Sequence, residues 1–272
     1  MTRVAVIGHT EWIDFVRVDR QPERGGLVEG RRLFENAGGG AVVAASVLAE
    51  LGAQVDLYTA LGDDARAERA AEQLAARGIT VHATRRPAPT RYVFTTLEDG
   101  GERTIVTVGE RHAPTLADGL DLTALQRADG VYATAADPGL LAEAARTGAL
   151  TVTTRVGPPA AFATVEGVRA AVFSASDAGE TGALAGWAQI AQLLVATEGA
   201  DGGHWHEGDG HAPERGRWAA APLSGRPRDS YGCGDSFAAG FAFGLASGGS
   251  VADAAAIGAR CGAALLTRVG GP

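Results

Sequence analysis

Arg228-Asp229-Ser230-Tyr231-Gly232-Cys233-Gly234-Asp235-Ser236-Phe237-Ala238-Ala239-Gly240 is a polar, glycine-rich loop that runs straight into an apolar helix, expected over Phe237 to Ala246. Glycines let the backbone approach an anion and turn consecutive N–H groups toward it. The helix start adds unpaired donors and the positive end of its dipole. Such a junction suits phosphate chemistry. Phosphoryl transfer asks a protein for in-line positioning, charge stabilisation and a group to take the acceptor's proton, and Asp235 lies beside the expected donors. From the local sequence alone, Asp235 serves equally well as the N-cap of a buried helix.

The flanking chain alternates strand and helix in the manner of a parallel sheet covered by helices. Val4 to Ile7 and Val55 to Leu61 read as strands, and Ala41 to Leu51 and Ala65 to Arg77 as helices. Gly52 and Gly78 stand where C-caps belong. The rhythm resumes with apolar runs at Gly130 to Ala133, Ala149 to Thr153, Ala170 to Phe173 and Gln192 to Ala196, spaced by Ala-rich helical stretches. The expected fold is α/β, a doubly wound and mostly parallel sheet flanked by helices, in one domain over 1–272. Two stretches interrupt it, 15–34 and 91–108. In the second, Tyr92 to Leu97 and Arg103 to Val108 flank Asp99-Gly100-Gly101, a hairpin signature. Inserted between βα units, these stretches are expected to form a small separate β-sheet that projects as a lid.

Composition narrows the partners. The chain of 272 residues carries a formal net charge of -8, which opposes general affinity for nucleic acid. No apolar run approaches the ~18 residues of a membrane span, and the first apolar run ends at Gly8, too soon for a secretory segment. Cys233 and Cys261 lack zinc-ligand spacing and are too few for a disulfide framework, so a reducing, cytoplasmic setting is expected. All 24 residues counted as Lys or Arg are Arg. The lack of Lys excludes Schiff-base chemistry and a Walker A loop. A small-molecule partner fits, with neither nucleic acid nor membrane.

Asp229 to Gly240 resembles the Asp-Thr-x-Gly-Ala-Gly-Asp-x-Phe signature of the ribokinase-like (PfkB) carbohydrate kinases. Cys233 replaces the usual Ala and Ser230 the usual Thr, both compatible with a motif that works through backbone groups. The resemblance implies a ribokinase-like fold and ATP-dependent phosphorylation of a sugar hydroxyl with Mg²⁺. The N–H groups of Gly232, Cys233 and Gly234 would hold the transferring phosphoryl, and Asp235 would act as base. It also implies a monovalent-cation site, for K⁺, near Asp229 and the Tyr231 carbonyl. Thr197-Glu198-Gly199-Ala200-Asp201-Gly202 is similar to the family's nucleotide turn and assigns Thr197, Gly199 and Gly202 to ATP, although the bare pattern also describes a plain β-turn. The segment from Thr90 to Thr104 resembles the family's lid hairpin, which closes over the sugar. In several members that lid pairs two subunits, so a homodimer through it is a candidate assembly.

The acceptor side departs from the family. Gly38-Gly39-Gly40-Ala41-Val42-Val43 keeps the glycines of the sugar-binding segment, but Gly40 stands where ribokinases carry Lys and Val43 where they carry Asn. Two unmet sugar contacts, each worth roughly 1–3 kcal/mol, argue against ribose bound in the usual way. Asp14 matches the family's early sugar-binding Asp, with Trp12 and His9 as further pocket candidates; Trp12 also suits a packed aromatic. Asp177-Ala178-Gly179-Glu180 is a remnant of the family's Asn-x-x-Glu motif, leaving Glu180 to order Mg²⁺ through water or to serve as a loop acid. A nucleoside acceptor, or a non-catalytic sugar or nucleotide sensor, remains an alternative. A dinucleotide fingerprint at Gly38 to Gly40 fails because Val43 stands where a third Gly is needed. A metal cluster of His204, His206, Glu207, Asp209 and His211 competes with a hairpin turning at Gly208-Asp209-Gly210. Cys233 as a low-pKa nucleophile lacks an evident His-Asp set.

Overall fold

The protein's structure, a computed structural model, describes residues 1–98, 103–207 and 215–272. In chain order it runs β1 (Arg3–Ile7), β2 (Glu11–Val18), β3 (Gly30–Gly38), α1 (Gly40–Glu50), β4 (Gln54–Gly62), α2 (Ala65–Ala76), β5 (Ile79–Arg86), β6 (Tyr92–Leu97) and β7 (Arg103–Val108). There follow α3 (Thr123–Gln126), β8 (Gly130–Ala133), α4 (Pro138–Ala145), β9 (Leu150–Thr153), β10 (Val168–Ser174), α5 (Ala178–Gly182) and α6 (Leu184–Trp187). The chain closes with β11 (Ala191–Thr197), β12 (Gly203–Glu207), β13 (Arg215–Trp218), α7 (Cys233–Ala246) and α8 (Val251–Leu266).

Among the described residues, nine strands form one sheet in the order β13-β12-β11-β10-β9-β8-β1-β4-β5. From β11 to β5 all pairings are parallel, and β12 and β13 add an antiparallel edge. Parallel strands buried on both faces must be apolar at successive positions. In β1, Val4 and Val6 face one core with Leu48, Leu57, Leu74 and Phe241, while Ala5 and Ile7 face the other with Leu140, Val152 and Trp187. Helices on both faces follow from that pattern. The helix α7 begins at Cys233, because the glycine-rich loop supplies its first turn. The strand β5 was not anticipated; its Ile-Thr-Val-His-Ala-Thr run is only half-buried at the sheet edge and carries a weak apolar signal.

The second sheet has the order β3-β2-β6-β7. It starts at Glu11 and reaches Gly38, wider than 15–34, because Trp12 to Phe15 pair on both sides, with Phe34 to Ala37 and with Tyr92 to Thr95. The strands β6 and β7 pair antiparallel from Tyr92 opposite Val108 to Leu97 opposite Arg103. Their expected turn at Asp99-Gly100-Gly101 lies outside the described residues, as does the one at Gly208-Asp209-Gly210. No described helix is long and apolar enough to cross a membrane.

Small residues let α7 and α8 lie close. A methyl group on Gly244 would come within 2.5 Å of the Ala254 Cα. Alanine there gains about 1 kcal/mol of helix propensity, but overpacking typically costs about 1–3 kcal/mol. Gly244→Ala is therefore expected to lower the unfolding free energy, read by urea denaturation. A variant at least as stable as the parent would show that this helix pair is not tightly packed.

Candidate active site

A cavity of about 310 Å³ opens at the C-terminal ends of the parallel strands. The strand termini supply His9, Thr134 and Thr153, and α7 supplies Asp235. Glu11, Gly39, Gly40, Val93, Ile105 and Thr107 bring the second sheet and the start of α1 to the same wall, and Arg91, Arg111, Arg155 and Tyr231 complete it. A crevice at the carboxyl ends of parallel strands is where open α/β sheets bind ligands.

Asp235 occupies the first turn of α7. Gly232 caps the helix with φ 71° and offers no side-chain acceptor, so the first-turn donors are left to the loop and to ligands. The Cys233 N–H donates to the Ser230 carbonyl at 3.3 Å, whereas those of Gly234 and Asp235 meet no acceptor among the described residues. The Asp235 side chain is half-buried. Its Oδ1 accepts a 3.0 Å hydrogen bond from the Tyr132 hydroxyl, which rises from the wholly buried β8. Burial pushes the Asp235 carboxyl above the usual range, while the Tyr132 bond, Arg111 and Arg155 pull it back down. A methyl group on Gly40 would stand 2.8 Å from Oδ1, so this close approach requires glycine. Burial drives the Cys233 thiol up to about 11, the reverse of an activated nucleophile.

The loop before α7 is tied to the second sheet. Asp229 Oδ1 accepts from Arg103 of β7 and from the Tyr231 N–H at 3.0 Å, and Oδ2 accepts from the Gly270 N–H at 3.0 Å. Tyr231 Oη accepts from the Gly39 N–H at 2.8 Å. Asp229 already holds a positive partner, so the residues present do not fit a further K⁺ at that carboxylate. Glu180 is similarly engaged. Its Oε1 accepts from Arg155 Nε at 2.6 Å, and its Oε2 from Thr154 Oγ1 at 3.0 Å and the Ser174 N–H at 3.1 Å. Asp177 caps α5 and also accepts from Arg155.

Trp12 and Asp14 lie on the opposite face of β2 from the cavity. Trp12 Nε1 donates to Glu35 at 3.2 Å with Arg69 stacked at 4.3 Å, and Asp14 makes a bidentate pair with Arg32 and accepts from the Tyr92 hydroxyl at 3.3 Å. The structure does not bring them to Asp235. Strand alternation turns Glu11 inward instead, where burial raises its carboxyl. Gly39 reaches the cavity; Gly38 packs against Ile13, where a methyl would meet Cδ1 at 2.0 Å. Val43 is buried beneath Gly232, away from the cavity. Thr197, Gly199 and Gly202 stay together at the end of β11. Gly202 is in the left-handed region at φ 81°, and none of the three lines the cavity. His204 pairs with Glu198 at 2.8 Å, and no metal-holding group of three or more His, Cys, Asp or Glu occurs among the described residues. Asp209 and His211 lie outside them.

The fold and the crevice are those of a small-molecule kinase scaffold. The ribokinase of Thermotoga maritima superposes with a TM-score of 0.81 over 99% of this chain and 94% of its own, at 17% identity. The ribokinase of Arabidopsis thaliana, complexed with ribose and ATP, does so with a TM-score of 0.78 over 100% and 95%, at 19% identity. The model of the pfkB family carbohydrate kinases matches residues 1–165 and 158–271, and the chain belongs to that family. The ATP-dependent ribose-1-phosphate kinase of Halopiger xanaduensis is 30% identical over 152 residues, 54% of this chain and 50% of that protein. The match thus spans half the length of that curated relative.

Tyr132 was not singled out by the sequence, because a tyrosine in an apolar strand resembles core. Its bond lowers the Asp235 pKa, so Tyr132→Phe should raise that pKa further and move the acid limb of the kcat/KM profile to higher pH, with kcat reduced about tenfold. Superimposable pH profiles for the parent and the variant would remove Tyr132 from the site.

Proposed function

We propose that the protein transfers the γ-phosphoryl group of ATP to a hydroxyl of a sugar or sugar-like acceptor. The observation that carries this reading is the half-buried Asp235 carboxylate, held by Tyr132 beside unpaired helix N–H groups and facing a cavity. As the acceptor oxygen attacks phosphorus, Asp235 takes the hydroxyl proton and ADP leaves. The free N–H groups of Gly234 and Asp235, with Gly232 beside them, form the anion hole at the helix start, while the Cys233 N–H is turned to the Ser230 carbonyl. The nucleotide extends toward Thr197, Gly199 and Gly202. Mg²⁺ arriving on the ATP phosphates would neutralise their charge, with Glu180 too well satisfied by Arg155 to be its principal partner. Glu11 takes the part of hydroxyl acceptor that the resemblance gave to Asp14. Closure of the second sheet over the cavity would exclude water, which competes for the phosphoryl group.

Two chains pair through the open edge of β7, where Ile105, Val106 and Val108 are 42%, 53% and 55% exposed. Sedimentation should therefore show a dimer that Val106→Glu dissociates; a monomeric parent would end this assembly. Two free cysteines suit a reducing, cytoplasmic setting.

The test of the reaction is ADP release with Mg·ATP and a panel of pentoses, hexoses, sugar phosphates, sugar acids and nucleosides. Asp235→Asn should lower turnover about 10²–10⁴-fold while ATP binding persists. Full turnover in the variant would show that another group is the base. No turnover with any acceptor, despite ATP binding, would favour a sensor.

A further inference from the structure

We propose that the acceptor carries an anionic oxygen group, a phosphate or a carboxylate, which Arg91 and Arg111 hold in the cavity. This rests on the phosphotransferase reading above and specifies its substrate class. Arg91 immediately precedes β6 and Arg111 follows β7, so the base of one hairpin delivers two guanidinium groups to the same cavity.

Their charge is poorly matched by the protein. The Arg91 and Arg103 side chains are equally exposed at 21%, and Arg86 is close at 28%. Arg103 and Arg86 each hydrogen-bond a carboxylate. Arg91 instead stands 3.8 Å from Glu11, beyond hydrogen-bond reach, and its buried Nε has no acceptor. Arg111, exposed to solvent, donates to the Thr134 carbonyl at 3.0 Å and makes no ion pair among the described residues. Glu11 is a single carboxylate facing both cations, and none of its oxygens comes within hydrogen-bond reach of Arg91.

The neighbouring polar atoms are also unsatisfied. The buried His9 Nδ1 and Thr134 Oγ1 have no partner. Burial, with Arg111 and Arg91 nearby, drives His9 down to about 3, so a neutral imidazole rather than a third cation lines the wall. Unpartnered polar atoms in native interiors call for an occupant. Guanidinium groups with a hydroxyl and a neutral imidazole form a donor-rich set suited to a multi-oxygen anion, which Arg binds through paired N–H groups. The transferring phosphoryl already has its donors at the start of α7, leaving these arginines for the acceptor.

The proposal is tested by calorimetric binding and by ADP release, using ribose 1-phosphate, ribose 5-phosphate, gluconate, ribose and glucose. At least one anionic probe should bind about 10- to 100-fold more tightly than its neutral counterpart. Arg111→Gln and Arg91→Gln should each remove about tenfold or more of that advantage, with ATP affinity retained, and Arg111→Lys should keep part of it. Unchanged thermal midpoints would show that the variants fold. Preference for phosphates or for gluconate identifies the anion, and either supports the proposal. It is overturned if no anionic probe outperforms its neutral counterpart. It is equally overturned if the variants weaken neutral acceptors and ATP as much as anions, which would assign the arginines to the transferring phosphoryl. Asp235-dependent turnover of neutral sugars without anion preference would sink this inference alone. Arg111-dependent anion binding with no ADP release from any acceptor would instead sink the kinase reading and leave the anion subsite standing.

Discussion

A carboxylate drawn partly out of water is stable only where neighbours replace the lost solvation. At Asp235 these neighbours come from separate parts of the chain: the Tyr132 hydroxyl from β8, the bare backbone of Gly40 from α1, and the positive end of α7 itself. None acts alone. The Tyr132 bond fixes one oxygen, and the glycine permits the approach. Because β8 and β1 are adjacent in the sheet, Tyr132 and the loop after Ile7 bracket the same end of α7. The packing of α8 against α7 thus bears on the chemistry, since a shift of the helix would carry Asp235 away from its donor.

The same logic ties the second sheet to this centre. Arg103 reaches from β7 to Asp229, while Tyr231, two residues further on, accepts from Gly39 at the end of β3. The glycine-rich loop is therefore held from both sides by the sheet that lies over the cavity. An ion pair with its carboxylate buried and a further backbone N–H on each oxygen is a firmer tie than an exposed pair. Movement of β7 would be felt at the start of α7. This gives a physical route by which a ligand under the hairpin can influence the start of α7.

Much of the fold was legible because it depends on periodicity. Continuous apolar runs at Val4, Val55, Gly130 and Ala170 mark strands buried on two faces, and the glycine-rich junction marks the helix that carries Asp235. The acceptor side was harder to read, for a reason visible in β2. Its residues are buried on both faces, so polarity did not reveal which parity points to the cavity, and the family resemblance alone pointed to Asp14. Tyr132 was hidden by its strand context, and Arg91 and Arg111, which flank a hairpin, carried no signal of their own. Their roles arise from long-range juxtaposition across sheets, which local pattern does not encode.

The absence of lysine acquires a meaning in this cavity. A lysine brought into a partly desolvated wall beside another cation can shed its proton and become neutral, whereas arginine keeps its charge. The arginines of this wall therefore keep their charge where a lysine could lose it, and His9, held neutral by burial and by those same arginines, adds no further repulsion. Positive charge and burial act in opposite senses on Asp235: Arg111 stabilises its ionised form, while burial disfavours it. An anionic acceptor would neutralise part of that field on entry and let the Asp235 pKa rise. On the proposed reading, Asp235 would thereby become a stronger proton acceptor once an anionic acceptor is in place.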